Sequence, residues 1–195
     1  MLKIAIIGRP NVGKSTLFNK MIGKQLAIVD DRPGVTRDWR EAEGFFFDHP
    51  VTLIDTAGLE EAFDETIQGR MRRQTEAAIK QADLLVFVID GREGVTMADQ
   101  HFADFLRKQK KPVVLVVNKA ENPRAVQTAV GESYGLGFGE PVCVSAAHSG
   151  GFDDLYQAIS PHIPKEEKAE EKADADILEK NEPNSKHNIE NSLET

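Results

Sequence analysis

Gly8-Arg9-Pro10-Asn11-Val12-Gly13-Lys14-Ser15 follows the apolar run Leu2 to Ile7 and opens the helix-like segment Lys14 to Ile22. The eight residues match G-x-x-x-x-G-K-[ST], and the strand before and helix after supply the context that gives the pattern meaning. Gly8 and Gly13 let the backbone wrap tightly, with its N–H groups turned inward as a cradle for phosphate oxygens. The start of the helix adds its partial positive charge at the same place. Lys14 then reaches the outer phosphates as a point charge, and the Ser15 hydroxyl is placed to hold magnesium. The expected nucleotide contacts run from Gly8 through Thr16.

Working outward, the next signal is Asp55-Thr56-Ala57-Gly58, directly after the apolar Val51 to Ile54. An Asp ending a buried strand can reach magnesium, usually through water. Gly58 can offer its N–H to a terminal phosphate and lets the segment beginning at Leu59 swing when that phosphate leaves. Between the two motifs lies Pro33-Gly34-Val35-Thr36-Arg37, in a polar stretch from Asp30 to Arg40. The Thr36 hydroxyl is expected to complete the magnesium shell once the terminal phosphate is present. Loss of that phosphate then releases both segments, an order–disorder switch.

Farther along, Asn118-Lys119-Ala120-Glu121 follows the apolar Val113 to Val117. A carboxylate there accepts hydrogen bonds from guanine N1–H and the exocyclic amino group, a donor pair adenine lacks. Asn118 can touch the base and tie loops together, and the Lys119 stem can lie over the ring. Ser145-Ala146-Ala147 can present a backbone N–H to the guanine oxygen. The usual guanine motif, Asn-Lys-x-Asp, has Asp in its fourth place; Glu121 is one methylene longer.

The elements around these motifs alternate. Strands are expected at Leu2 to Ile7, Ala42 to Phe47, Val51 to Ile54, Leu84 to Ile89, Val113 to Val117 and Val142 to Val144, with a turn at Asp48-His49-Pro50. Helices are expected at Lys14 to Ile22, Glu65 to Ala82, Met97 to Lys108, Pro123 to Val130 and Phe152 to Ile159. Apolar strand runs without polar alternation imply burial on both sheet faces. Strands alternating with helices imply an α/β domain with a mainly parallel sheet, whose ligands sit beyond the carboxyl ends of the strands.

Composition sets bounds on the remainder. The 195 residues carry a formal charge of −8 and a single cysteine, Cys143, so no internal disulfide can form. An acidic chain is not built to grip nucleic-acid backbones by charge. No apolar run approaches the roughly 20 residues that cross a bilayer, and the N-terminus has no signal-peptide pattern; a cytoplasmic chain with no membrane partner is expected. Residues 165–195 hold ten acids and five lysines, no aromatic residue and only scattered aliphatics. The expected division is therefore a domain over 1–163 and an acidic, disordered linker or tail over 164–195. Cys143 reads as a small core residue of the last strand, and the five histidines show no metal spacing.

Taken together, GRPNVGKSTLFN (Gly8 to Asn19), DRPGVTRD (Asp31 to Asp38), DTAG (Asp55 to Gly58), NKAE (Asn118 to Glu121) and SAAHSGG (Ser145 to Gly151) resemble the first GTPase domain of the bacterial Der (EngA) family of ribosome-assembly GTPases. Era and TrmE share the style of phosphate loop. The resemblance implies a three-layer P-loop GTPase fold, with a mainly parallel six-stranded sheet and helices on both faces. It implies a GTP/GDP-binding, GTP-hydrolysing switch acting in assembly of the large ribosomal subunit. Der proteins carry a second GTPase domain and a KH-like domain, so the acidic stretch resembles an interdomain linker and the chain one domain of a larger switch. Leu59 stands where Ras-like enzymes place a glutamine. The family's substitute is a potassium ion held partly by the phosphate-loop asparagine, here Asn11, which offsets charge developing between the phosphates. Hydrolysis would then rest on Asn11, Lys14, Thr36 and Gly58, with magnesium on Ser15, Thr36 and Asp55. Two other functions fit the same motifs: an NTPase relaxed in base choice by Glu121, and a nucleotide-sensing module with negligible turnover, in keeping with Leu59.

Overall fold

The computed structural model describes residues 1–23, 27–29, 40–56 and 76–164. Residues 1–163 form one unit and 164–195 another; of the second, Pro164 alone is described, and the expected acidic tail lies outside the described residues. Among the described residues the first unit is built on a seven-stranded sheet in the order β2-β3-β4-β1-β5-β6-β7. The strands are β1 (Leu2–Ile7), β2 (Ala27–Val29), β3 (Arg40–Phe46), β4 (His49–Asp55), β5 (Leu84–Asp90), β6 (Val113–Asn118) and β7 (Val142–Cys143). The helices are α1 (Lys14–Ile22), α2 (Met97–Arg107), α3 (Pro123–Ser133) and α4 (Phe152–Ile159). Residues 76–81 are also helical; the rest of the helix expected from Glu65 lies outside the described residues.

The sheet is the mainly parallel one expected. β1 runs parallel to both β4 and β5, β5 to β6, and β6 to β7, while β3 is antiparallel to β4 and β2 to β3. It has one strand more than the six expected. The addition is β2, three residues paired to β3 with a register shift, too short to leave an apolar run in the sequence.

A second correction concerns the hairpin. The turn sits on Phe47 and Asp48, with Phe47 at φ 53, and not on Asp48 to Pro50. Pro50 instead lies in β4 opposite Phe45. Strand β1 begins at Leu2 beside Val51, so Pro50 sits where β4 has outrun β1 and only β3 lies alongside. A proline is tolerated where a ladder has such an edge.

Pleating sends alternate residues to opposite layers. Ile4, Ile6, Val86, Val88 and Val116 pack with Leu17, Phe18 and Met21 of α1 and Leu155 and Ile159 of α4. Ala5, Ile7, Leu85, Phe87, Ile89 and Val117 pack with Ala78, Ile79, Phe102, Leu106 and Ala129 on the other face. Burial on both faces is why these strands read as unbroken apolar runs. Cys143 is half-buried in β7 beside the second layer, and burial, with the Asp154 charge, pushes its thiol pKa up. It is therefore a packing residue and not a reactive one.

The strand order fixes where a ligand goes. From β1 the chain moves out to β2 and returns through β3 and β4; from β4 it crosses to β5 on the other side of β1. The carboxyl end of β1 is thus a topological switch point, where open α/β sheets form their binding crevice.

Candidate nucleotide site

The loop from Gly8 to Gly13 leaves β1 at this switch point and delivers the chain into α1. Three of its residues have positive φ: Gly8 (153°), Asn11 (65°) and Gly13 (96°). Both glycines are also forced by neighbours. A Cβ on Gly8 would stand 2.2 Å from the Val88 carbonyl oxygen, and one on Gly13 would stand 2.3 Å from Asn118 Nδ2. Gly13 caps α1 without any side-chain hydrogen bond, and the first turn of α1 has no acidic residue. Its N–H groups and dipole are therefore presented to an anion and not consumed by the helix's own side chains.

Lys14 is buried at 3% exposure, and its Nζ donates to the Arg9 carbonyl at 2.8 Å. The ammonium is thereby folded back over the loop mouth. Ser15 follows half-exposed, Thr16 and Pro10 are exposed, and Val12 is fully buried. Asp55 ends β4 beside Ile6, buried at 1% exposure, so β1 and β4 bring its carboxylate and the Ser15 hydroxyl to the same sheet end. A hydroxyl and a carboxylate are the hard oxygen donors that suit magnesium, which is bound through few protein ligands with phosphates and water completing the shell. Among the described residues no group of three or more His, Cys, Asp or Glu gathers to cage a metal without such help. Thr56 is turned inward, its hydroxyl donating to the Ile6 carbonyl at 2.8 Å; it locks β4 to β1. Thr36, Ala57, Gly58 and Leu59 lie outside the described residues.

Arg9 belongs to the loop by sequence, but its side chain leaves it. Its Nη2 pairs with Glu93 at 2.6 Å and its Nε donates to Asp99 Oδ2 at 3.3 Å. Asp99, fully buried, is the capping-box residue of α2 and also accepts from the Thr96 N–H and hydroxyl. Arg9 can serve a phosphate through its backbone only; its guanidinium fastens the loop to α2.

The base-reading loop is welded to the phosphate loop. Asn118, buried at 2% exposure, donates from Nδ2 to the Val12 carbonyl at 2.8 Å and accepts at Oδ1 from the Ala146 N–H at 3.0 Å. Both ends of its amide are spent on tying three loops. Of the Ser145-Ala146-Ala147 segment expected to face a base oxygen, Ala146 N–H is taken by Asn118, and Ala147 is exposed. Lys119, at φ 63, stretches its stem across the gap, its Nζ donating to the Asn11 carbonyl at 2.7 Å and to Asp90 Oδ2 at 2.6 Å. The loop-closing bond at Asn11 is therefore made by its carbonyl, while the residue itself is exposed. Asparagine also tolerates the left-handed backbone found there.

Beyond Ala120, whose N–H donates to the Val144 carbonyl at 3.1 Å, comes Glu121. Its Oε1 accepts from the Ser145 hydroxyl at 2.7 Å and its Oε2 from Arg92 Nη2 at 2.9 Å. These two donors, Ser145 first, hold its pKa below the ordinary carboxylate range, so it stands ionised as an acceptor.

Asp90 and Arg92 join the site from outside every motif of the sequence. Asp90 ends β5 as Asp55 ends β4, a likeness the sequence does carry. Burial pushes its pKa up, but the Lys119 ammonium and the Arg92 N–H outweigh this and the net shift is downward.

The family model described as 50S ribosome-binding GTPase matches residues 3–119. GTPase Der of Cereibacter sphaeroides is 58% identical over 158 residues, 81% of this chain and 32% of that protein. GTPase Der of Ruegeria pomeroyi is 54% identical over 173 residues, 88% of this chain and 35% of that protein. The chain thus spans about a third of the length of the curated relatives it matches. Among solved structures, Era of Aquifex aeolicus bound to GDP and AlF4− superposes with a TM-score of 0.68 at 28% identity, covering 85% of this chain and 57% of that one. The G domain of FeoB from T. maritima gives 0.63 at 25% identity, covering 84% and 99%. With a phosphate loop at the switch point, a carboxylate-bearing loop welded to it and a family model matching more than half of its length, the chain belongs to the 50S ribosome-binding GTPases, and its likeness within them is to GTPase Der.

Proposed function

We propose that this chain binds and hydrolyses GTP, and that it does so as one switch domain of a longer Der-type protein serving assembly of the large ribosomal subunit. The observation that carries the reading is the pair of ties from Asn118 to Val12 and from Lys119 to Asn11. They hold a phosphate cradle and an ionised Glu121 carboxylate in one frame, so one ligand with a polyphosphate at one end and a guanine at the other is measured at both ends.

In this reading Gly8 to Thr16 hold the phosphates, Ser15 and Asp55 hold magnesium, and Thr36 and Gly58 grip the terminal phosphate. Magnesium supplies charge neutralisation at the phosphates. Lys14 does the same from the protein side, which matters because phosphoryl transfer is mainly positioning and charge stabilisation. Potassium held at Asn11 is the proposed activator. The exposed position of Asn11 in a left-handed turn at the loop mouth supports it. The whole protein is where ribosomal partners, a second GTPase domain and a KH-like domain belong; the net charge of −8 gives this piece no electrostatic grip on RNA.

Calorimetric titration with GTP and with ATP, both in magnesium, tests the reading. Strong preference for GTP is expected, and equal affinities would remove the guanine assignment and leave the relaxed NTPase.

A further inference from the structure

Glu121 has one more rotatable bond than the aspartate usual at its position. A longer arm reaches the base from more directions and needs holding in one. The loop after β5 is built to supply the hold. Gly91 donates its N–H to the Asn118 carbonyl at 2.7 Å, and a Cβ on Gly91 would stand 2.8 Å from that same oxygen, so only glycine lets the two loops approach. Asp90 Oδ1 then accepts from the Arg92 N–H at 2.8 Å, and the Gly94 N–H closes on the Asp90 carbonyl at 3.0 Å. This turn aims the Arg92 side chain at Glu121, where Nη2 meets Oε2 at 2.9 Å while Ser145 takes Oε1.

An ionised carboxylate has about four acceptor sites. With one donor on each oxygen, one site on each remains, a pair that matches the two parallel N–H groups of guanine. As a stability device the contact is poor: Arg92 is 61% exposed, and exposed ion pairs contribute little. A turn fixed by an aspartate and an obligatory glycine, ending in a contact of little structural worth, needs a different purpose.

We propose that Arg92 is a specificity-determining positioning residue, which together with Ser145 clamps the carboxylate of Glu121 in the orientation that reads guanine. The inference rests on the guanine reading above. Freeing a rotamer-rich side chain that binding must then immobilise weakens affinity by roughly three- to tenfold.

The test is titration of the intact chain with GDP and, by competition, ADP, in magnesium, for the wild type, R92A, R92K, E121D and the double variant R92A/E121D. R92A should bind GDP roughly three- to tenfold more weakly, with ADP affinity and melting temperature unchanged. R92K should lie between R92A and wild type, and R92A should cost less on E121D, whose arm has one rotatable bond fewer to hold. Unchanged or tighter GDP binding by R92A overturns the inference, tighter binding meaning that Arg92 competes with the base. Equal losses for GDP and ADP overturn it too, placing the effect at the phosphates or in folding. A wild type that binds GDP no better than ADP removes the guanine reading itself, and this inference with it, before any variant is compared.

Discussion

Replacing Asn118 with alanine should unfold the frame of the site before it affects the base. The side chain is buried and makes two hydrogen bonds, to the Val12 carbonyl at 2.8 Å and from the Ala146 N–H at 3.0 Å. Val12 is 0% and Ala146 1% exposed, so both partners are left without solvent to turn to. An orphaned buried donor or acceptor costs about 1–3 kcal/mol. Two of them, partly relieved by a water entering the small gap, give a loss of about 2–4 kcal/mol. That is a large share of the 5–15 kcal/mol on the order of which a domain is held together. It corresponds to a fall in melting temperature of roughly 5–12 °C for a domain of this size. The assay is urea unfolding of the nucleotide-free chain followed by far-ultraviolet circular dichroism, with GDP titration on the folded fraction. N118A should lose stability without nucleotide present and lose affinity for GDP and ADP alike, because the phosphate loop loses its brace at Val12. Wild-type stability together with a loss confined to GDP would refute the reasoning and make Asn118 a base contact alone.

Two further outcomes follow from the same contacts. Removing the Arg9 side chain leaves Asp99 buried beside one lost cation, with Oδ1 already lacking a hydrogen-bond partner; R9A should destabilise the chain by about 3 kcal/mol in urea unfolding with little change in GDP affinity, whereas lost affinity at full stability would return Arg9 to the phosphates. Asp90 has a native pKa below its unfolded one, so its contribution, about 1–3 kcal/mol at pH 7, is complete above the ordinary carboxylate value and is lost as pH falls through the range beneath it. The stability gap between wild type and D90N should therefore close below about pH 4, and a gap that stays constant from pH 7 to pH 3 would contradict the pairing with Lys119.

Much of the fold was legible because its determinants are local. The runs LKIAII and LLVFVI announce strands buried on both faces, and GxxxxGK[ST] places the loop between strand and helix. β2 was not legible because three residues carry no period. The hairpin turn was displaced because the usual turn formers, Asp48 and Pro50, both follow the residue that takes the positive φ, Phe47. In the site, contiguous motifs were legible: Gly8, Gly13 and Lys14 stand together where the loop joins β1 to α1. The role of the Arg9 side chain was not legible because its partner Asp99 is ninety residues on, and nothing near Arg9 reports a buried carboxylate waiting for it. Asp90 and Arg92 were missed for the same reason: their meaning depends on β5 lying beside β6, which puts Asp90 opposite Asn118.

The most direct test of the central claim is phosphate release by this chain under single-turnover conditions, with GTP and with ATP, in potassium and in sodium, alongside K14A. Release is expected from GTP but not ATP, faster in potassium than in sodium and abolished in K14A. No release from GTP in either salt would contradict hydrolysis and leave a nucleotide-binding module, and equal release from GTP and ATP would contradict the assignment of Glu121 to guanine.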